Sequence, residues 1–249
     1  RKVLGTVDKN YLDSIAKSKY KGKVQTGELA IITTFSDIAF DHQGNMFISD
    51  RLNHQIRKVS AQGEITTIAG TGESAHYGDG GPATEASFRD PNSLATDREG
   101  NLYIADGANN MIRKIDTKGI VTTVAGNGKH ENSGDGGPAL KASIRNMDYL
   151  AVNPAGELHI LGMNSNIVRK ITKNGNIEAV AGNGYQGYFG DGGPATKAML
   201  KNPSAITFDS KGNLYISDMG NSRIRKVDTK GIISTFAGTG ERKPTPDGS

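Results

Sequence analysis

Short apolar runs, each closed by a polar turn, follow one another along this chain, and their order restarts every 56 residues. The second copy is the clearest. Its first run, 92–97 (NSLATD), ends in the polar turn Arg98-Glu99-Gly100-Asn101. The next, 102–106 (LYIAD), is apolar on both faces, as a strand sandwiched between two neighbouring sheets should be. After a turn at 107–110, the run 111–116 (MIRKID) alternates apolar with basic, the pattern of a half-exposed strand. Thr117-Lys118-Gly119 turns again, and 120–126 (IVTTVAG) is rich in β-branched residues. The pattern predicts four antiparallel strands joined by three tight turns, which is one propeller blade. A long Gly-rich crossing, 127–146, leads to the next copy.

The register holds without insertion or deletion. The leading glycine recurs at Gly44, Gly100, Gly156 and Gly212, the arginine of the third strand at Arg57, Arg113, Arg169 and Arg225. The Ala-Gly that ends the fourth strand recurs at Gly70, Gly126, Gly182 and Gly238. A fixed period with several short strands per unit is the sign of a propeller or stacked array. The expected fold is all-β: a β-propeller of four-stranded antiparallel blades, with four clear repeats over 36–240. Residues 1–35 form a divergent N-terminal segment, read as a partial blade or a ring-closing strand, and 241–249 a tail.

The repeats stand as GNMFISDRLNHQIRKV (44–59), GNLYIADGANNMIRKI (100–115), GELHILGMNSNIVRKI (156–171) and GNLYISDMGNSRIRKV (212–227). This pattern resembles the NHL-repeat family, and the match covers 36–240. The crossings GDGGPATEA (78–86), GDGGPALKA (134–142) and GDGGPATKA (190–198) resemble those of bacterial, often exported, members. The resemblance implies a toroidal propeller, commonly six-bladed, so four copies point to a fragment of a larger chain or to a small propeller of four to five blades.

Composition narrows the function classes. With 30 Lys+Arg against 26 Asp+Glu the net charge is only +4, and the Arg-Lys pairs are spread around the molecule by the repeat. Nucleic-acid binding would want them clustered on one face with aromatics between. The absence of cysteine removes disulfides, thiolate catalysis and Cys-ligated zinc. No apolar run is long enough for a membrane span, and no signal peptide is visible in this chain.

Two sets of aspartates repeat. Asp50, Asp106 and Asp218 precede the third-strand arginine by seven residues and are expected to pair with it across the hairpin turn. Asp79, Asp135 and Asp191 in the GDGG loops are read as turn formers, with too few neighbouring oxygens for calcium. Positions where the copies differ carry more functional information, because a scaffold needs repetition and a ligand does not. At the entry to the innermost strands the copies read Ser36-Asp37, Asn92-Ser93, Asp148-Tyr149 and Ser204-Ala205. Asp37, Asn92 and Asp148 are the metal candidates, with calcium the cofactor they would hold. Six-bladed lactonases and related hydrolases hold calcium near the axis with such residues. Polar lining of a water-filled channel is the other reading.

The third copy breaks the pattern. Gly162 replaces the turn aspartate, His159 the aromatic of Phe47, Tyr103 and Tyr215, and Asn153 and Glu157 an Asp and an Asn. Either a pocket opens at Gly162–Asn166, or the copy has drifted or contacts a partner. The crossings carry His76, Tyr77, His130, Tyr185, Tyr188 and Phe189; aromatics on loops are common anchors for proteins and sugars, or else pack locally over the blade ends. Of these, His76, Tyr77, Tyr185 and Tyr188, together with His54, Tyr149, His159 and Asn164, are the ligand-binding candidates. No acid/base or nucleophile constellation accompanies them, so no catalytic residue is assigned. The favoured reading is a non-catalytic scaffold, secreted, periplasmic or at the cell surface, binding a protein or glycan through one propeller face. The alternative is a calcium-dependent hydrolase or lyase with an axial site.

Overall fold

The computed structural model of the protein describes residues 35–241. The divergent segment up to residue 34 and the tail from 242 lie outside the described residues. Between them stand four four-stranded antiparallel sheets. Blade 1 holds β1 (Phe35–Phe40), β2 (Met46–Asp50), β3 (Gln55–Val59) and β4 (Ile65–Ala69). Blade 2 holds β5 (Pro91–Thr96), β6 (Leu102–Asp106), β7 (Met111–Ile115) and β8 (Val121–Ala125). A two-stranded ribbon of β9 (Asn132–Ser133) and β10 (Ser143–Ile144) sits in the following crossing. Blade 3 holds β11 (Met147–Val152), β12 (Leu158–Gly162), β13 (Ile167–Ile171) and β14 (Ile177–Ala181). Blade 4 holds β15 (Ala205–Phe208), β16 (Leu214–Asp218), β17 (Arg223–Val227) and β18 (Ile233–Ala237). The expected propeller blades are present, strand for strand.

The repeated Ala-Gly has a steric cause. The turn between second and third strands ends in a left-handed residue, His54, Asn110, Asn166 or Ser222, with φ of 55°, 52°, 53° and 52°. Its carbonyl oxygen points at the glycine that closes the fourth strand. A Cβ added at Gly70, Gly126, Gly182 or Gly238 would fall on that oxygen, and each has φ between 83° and 92°. Only glycine satisfies both demands.

Three hydrophobic cores fill the three seams between successive blades. Ile56, Ala69 and Phe47 of blade 1 meet Leu94, Leu102, Ile104 and Val121 of blade 2. The crossing wedges Ala83, Ala86 and Phe88 into the same seam. Equivalent clusters join blades 2 and 3 around Ile112, Ile144 and Ile160, and blades 3 and 4 around Val168, Leu200 and Ile216. Each fully buried aliphatic side chain here contributes about 1.5–3 kcal/mol. Sheet faces that are apolar on both sides, as LYIAD is, are explained by this stacking.

The expected pairing across the hairpin turn is present, with Arg57 Nε donating to Asp50 at 3.0 Å in blade 1. In blades 2 and 4, however, the arginine lies closer to a second aspartate. Arg113 is fully buried, and its Nη2 lies 2.8 Å from Asp79 of the preceding GDGG crossing, against 3.6 Å from Nη1 to Asp106 of its own blade. Arg225 repeats this with Asp191 at 2.6 Å and Asp218 at 3.3 Å, and Arg169 with Asp135 at 3.0 Å. The GDGG aspartates are therefore latches between a crossing and the next blade, and more than turn formers. Their glycine neighbours let the loop's backbone pair with the outer strand, as Gly80 N–H does with the carbonyl of Val121 at 2.8 Å. Arg169, which Gly162 deprives of the turn aspartate, pairs with Asp135 and donates from Nη1 to the carbonyl of Ser143 at 3.0 Å.

Candidate binding site

Antiparallel order sorts the loops onto two ends. The starts of the inner strands, the turns between second and third strands and the crossings share one end. Turns between first and second strands, and between third and fourth, share the other. Hydrogen bonds confirm the first grouping: Asn109 Nδ2 of a turn donates to the carbonyl of Ala75 in a crossing at 2.9 Å, and Asn221 Nδ2 likewise to Gly187 at 2.8 Å. At the second end, turn residues of all four blades, among them His42, Arg98, Pro154 and Ser210, line an axial cavity of about 370 Å³.

The candidates fall into three environments. His159 is interior. It packs edge-on against Phe208 with ring centroids 4.6 Å apart, and its Nδ1 lies 3.1 Å from the carbonyl of Glu157. Burial pushes its pKa down to about 4, so it is a neutral ring in the seam between blades 3 and 4. The surrounding substitutions form a set. Elsewhere an aspartate accepts from an Asn amide four residues on, as Asp97 does from Asn101 at 2.7 Å, and from a tyrosine, Tyr103, at 3.1 Å. In blade 3 the pair is inverted: Asn153 Nδ2 donates to Glu157 at 2.8 Å, and the imidazole takes a main-chain partner in place of the phenol.

The axial candidates form a second group. Asp37 accepts from Ser93 Oγ at 2.7 Å and from the amide of Leu94 at 2.9 Å on Oδ2, and from the amide of Ile38 at 2.8 Å on Oδ1. Ser93 in turn accepts from the amide of Leu150 at 3.0 Å, so one relay ties the inner strands of blades 1, 2 and 3. Tyr149 stands close enough for burial and the Asp37 charge to raise its pKa. Asn92 turns instead toward Gly107 of its own blade, where its Nδ2 would lie 3.0 Å from an added Cβ, and its Oδ1 is buried without a hydrogen-bond partner. Asp148 is half-buried in β11. Among the described residues, no three His, Asp or Glu side chains gather as a metal ion would need.

The third group lies on the crossings and the adjoining turns. His54 accepts from the amide of Asp90 at 3.4 Å and so braces a seam. His76, Tyr77 and Asn164 are exposed, with the Tyr77 hydroxyl donating to Glu73 at 2.8 Å. The crossing into blade 4 is distinct. Tyr185 and Phe189 are 72% and 63% exposed, and Tyr188 between them is 45% exposed yet held by its hydroxyl and its ring. Its hydroxyl lies 2.9 Å from Asp191 and from Thr235, and the Arg223 guanidinium covers its ring at 3.9 Å. Arg225, which latches Asp191, lies 4.9 Å from the same ring. Phe189, noted in the sequence with Tyr185 and Tyr188 as a crossing aromatic, is exposed beside them. The corresponding positions are Glu73, His76 and Tyr77 in the crossing into blade 2 and Lys129, Asn132 and Ser133 in that into blade 3, so of the three rings only Phe189 has an aromatic counterpart.

The gap at Gly162 is not an open pocket. A Cβ there would meet Ser165 Oγ at 2.7 Å and the carbonyls of Arg145 and Asn146 at 3.1 Å. Ser165, which stands where blades 2 and 4 have Asn109 and Asn221, donates to the Gly162 carbonyl at 2.8 Å.

The family model described as the Teneurin NHL domain matches residues 71–186 and 176–246. Teneurin-m of Drosophila melanogaster is 32% identical, over 78% of this chain and 8% of its own. Human Teneurin-1 is 31% identical with the same two coverages, 78% and 8%. The chain thus spans less than a tenth of these relatives' length. Among solved structures, virginiamycin B lyase from Staphylococcus aureus has a TM-score of 0.54 at 20% identity, over 87% of this chain and 58% of its own. An auxiliary nutrient binding protein from Bacteroides ovatus has 0.58 at 14%, over 85% and 49%. At these identities the structures share the fold alone.

Proposed function

Because the chain belongs to the NHL-repeat family of the teneurin NHL domain, we propose that it is a non-catalytic binding scaffold which presents one propeller end to a protein or glycan. It acts outside the cell or at its surface, as one part of a larger protein. Among the described residues no helix is long and apolar enough to cross a membrane. The observation that carries the reading is the Tyr185–Tyr188–Phe189 platform. Exposed rings supply area, and Tyr188 is fixed in advance by two hydrogen bonds and a stacked guanidinium, which lowers the ordering cost of binding. The axial residues support catalysis less well, because the oxygens of Asp37 are occupied by donors from its own and the neighbouring strand.

The test is binding of the labelled chain to a glycan array and to a panel of displayed extracellular domains, beside the Tyr185→Ala/Phe189→Ala variant. Both rings are exposed, so the variant should melt with the parent and lose binding about tenfold or more, in line with aromatic anchors. Undiminished binding by the variant would remove the platform from the proposal.

A further inference from the structure

The aromatic crossing between blades 3 and 4 is also where the repeat turns basic. The entry to the third strand reads Gln55, Met111, Ile167 and Arg223, so a cation joins the rings in one copy. Within the crossings, Glu85 and Lys141 correspond to Lys197. Arg223 lies 3.9 Å over the Tyr188 ring. Its Nη1 donates to the Asn221 carbonyl at 2.9 Å and its Nη2 to that of Thr239 at 2.7 Å. Those partners are neutral, so they fix the guanidinium without cancelling its charge. The acids of this seam are engaged elsewhere: Asp191 by Arg225, Tyr188 and Thr235, and Asp218 by Arg225 and Asn221. Lys197 and Lys201, both exposed, flank the same loop. The Lys197 carbonyl accepts from Asn183 at 3.2 Å, and that of Leu200, next to Lys201, from the Gly187 amide at 3.2 Å.

We propose that the ligand of the platform is an acidic polysaccharide. Its sugar rings lie against Tyr185 and Phe189, and its carboxylate or sulfate groups meet Arg223, Lys197 and Lys201. This inference rests on the platform reading above and adds the ligand's chemistry. The electron-rich face of an aromatic ring attracts the polarised C–H groups on the flat side of a pyranose. Rings as exposed as Tyr185 and Phe189 suit that flat contact, whereas a protein anchor is held in a desolvated pocket. The guanidinium of Arg223, already oriented, offers its remaining N–H groups to a planar carboxylate or to a sulfate. A neutral glycan would leave all three cations unused.

Calorimetric titration of the full chain tests this with two matched pairs, dextran sulfate against dextran and polygalacturonate against its methyl ester. Poly-glutamate stands in for an acidic peptide. The parent should bind at least one acidic polysaccharide about tenfold or more tightly than its neutral counterpart and than poly-glutamate, and weaken as salt is raised. The pair that responds identifies the acid group. Arg223→Gln, and separately Lys197→Gln/Lys201→Gln, should each weaken the acidic probe about tenfold. The two lysines are exposed, so their variant should melt with the parent. Equal affinity for acidic and neutral polymers, equal affinity for poly-glutamate, or no binding to either acidic polysaccharide overturns the proposal. So does an affinity that both charge variants keep. If those variants keep a ligand that Tyr185→Ala/Phe189→Ala loses, the acidic ligand falls and the platform stands. If the ring variant keeps the acidic probe, the platform falls with it.

Discussion

Asp79 and Arg113 are 34 residues apart, in a crossing and in the third strand of the next blade, and they meet at 2.8 Å. Arg113 has no exposed side-chain surface, and its Nε also donates to Asp79 at 3.1 Å. Two of its three nitrogens thus depend on a carboxylate from outside its own sheet. The latch recurs as Asp135–Arg169 and Asp191–Arg225, so each crossing is bolted to the blade it introduces.

Asp79→Ala should therefore cost about 2 kcal/mol or more, because removing one partner strands a buried guanidinium. Asp79 is itself partly exposed, which keeps the loss below that of a fully buried pair. Urea denaturation of the variant measures it. A midpoint equal to the parent's would show that Asp106 and main-chain carbonyls suffice for Arg113.

Burial lifts the Asp106 carboxyl from its ordinary 3.8 to about 6, although Asn109, the Arg89 amide and Arg113 favour the charged form. The folded state then holds a proton that the unfolded state releases near 3.8. Its stabilising contribution is complete below that value and is lost as pH rises through about 6. Asp106→Asn, with a neutral side chain of the same shape, should flatten that segment of a stability-against-pH curve. An unchanged slope between pH 4 and 6 would contradict the assignment.

His159 has the opposite sign. Its pKa falls from 6.5 to about 4, so below 6.5 the unfolded chain takes up a proton that the buried ring refuses. The contribution is present above 6.5 and is lost as pH falls toward about 4. His159→Phe, the residue class found at Phe47, should remove this acid-side loss while keeping the edge contact with Phe208. Melting temperatures of parent and variant between pH 4 and 7 should converge at the neutral end if the phenyl ring fits the seam, and separate at the acid end.

Restoring the repeat's aspartate in blade 3 should destabilise. Gly162→Asp alone drives Cβ into Ser165 Oγ and two carbonyls, an overpacking typically worth about 1–3 kcal/mol. Adding Ser165→Asn rebuilds the pairing seen between Asp106 and Asn109 at 2.9 Å and should recover part of the loss. Chemical denaturation of the single and double variants decides; a stabilised single variant would show that the site relaxes freely.

The 56-residue register by itself determined the strands, the turns and the propeller, because strand alternation, turn glycines and β-branched runs are local signals repeated four times. It also marked the third blade as different. Only the tertiary structure decided what the differences do. Asn153, Glu157 and His159 are separated by a few residues, yet their meaning is an inverted hydrogen bond and a neutral ring against Phe208, which comes from the next blade. The turn aspartate expected for the arginine is there, but its second partner was missed for the same reason. Asp106 is seven residues from Arg113 and Asp79 is 34, and periodicity ranks the nearer one first. Which crossing aromatics face water depends on how one sheet stacks on the next. A repeated sequence specifies each blade almost alone, whereas burial and ion pairing at the seams are properties of two blades at once.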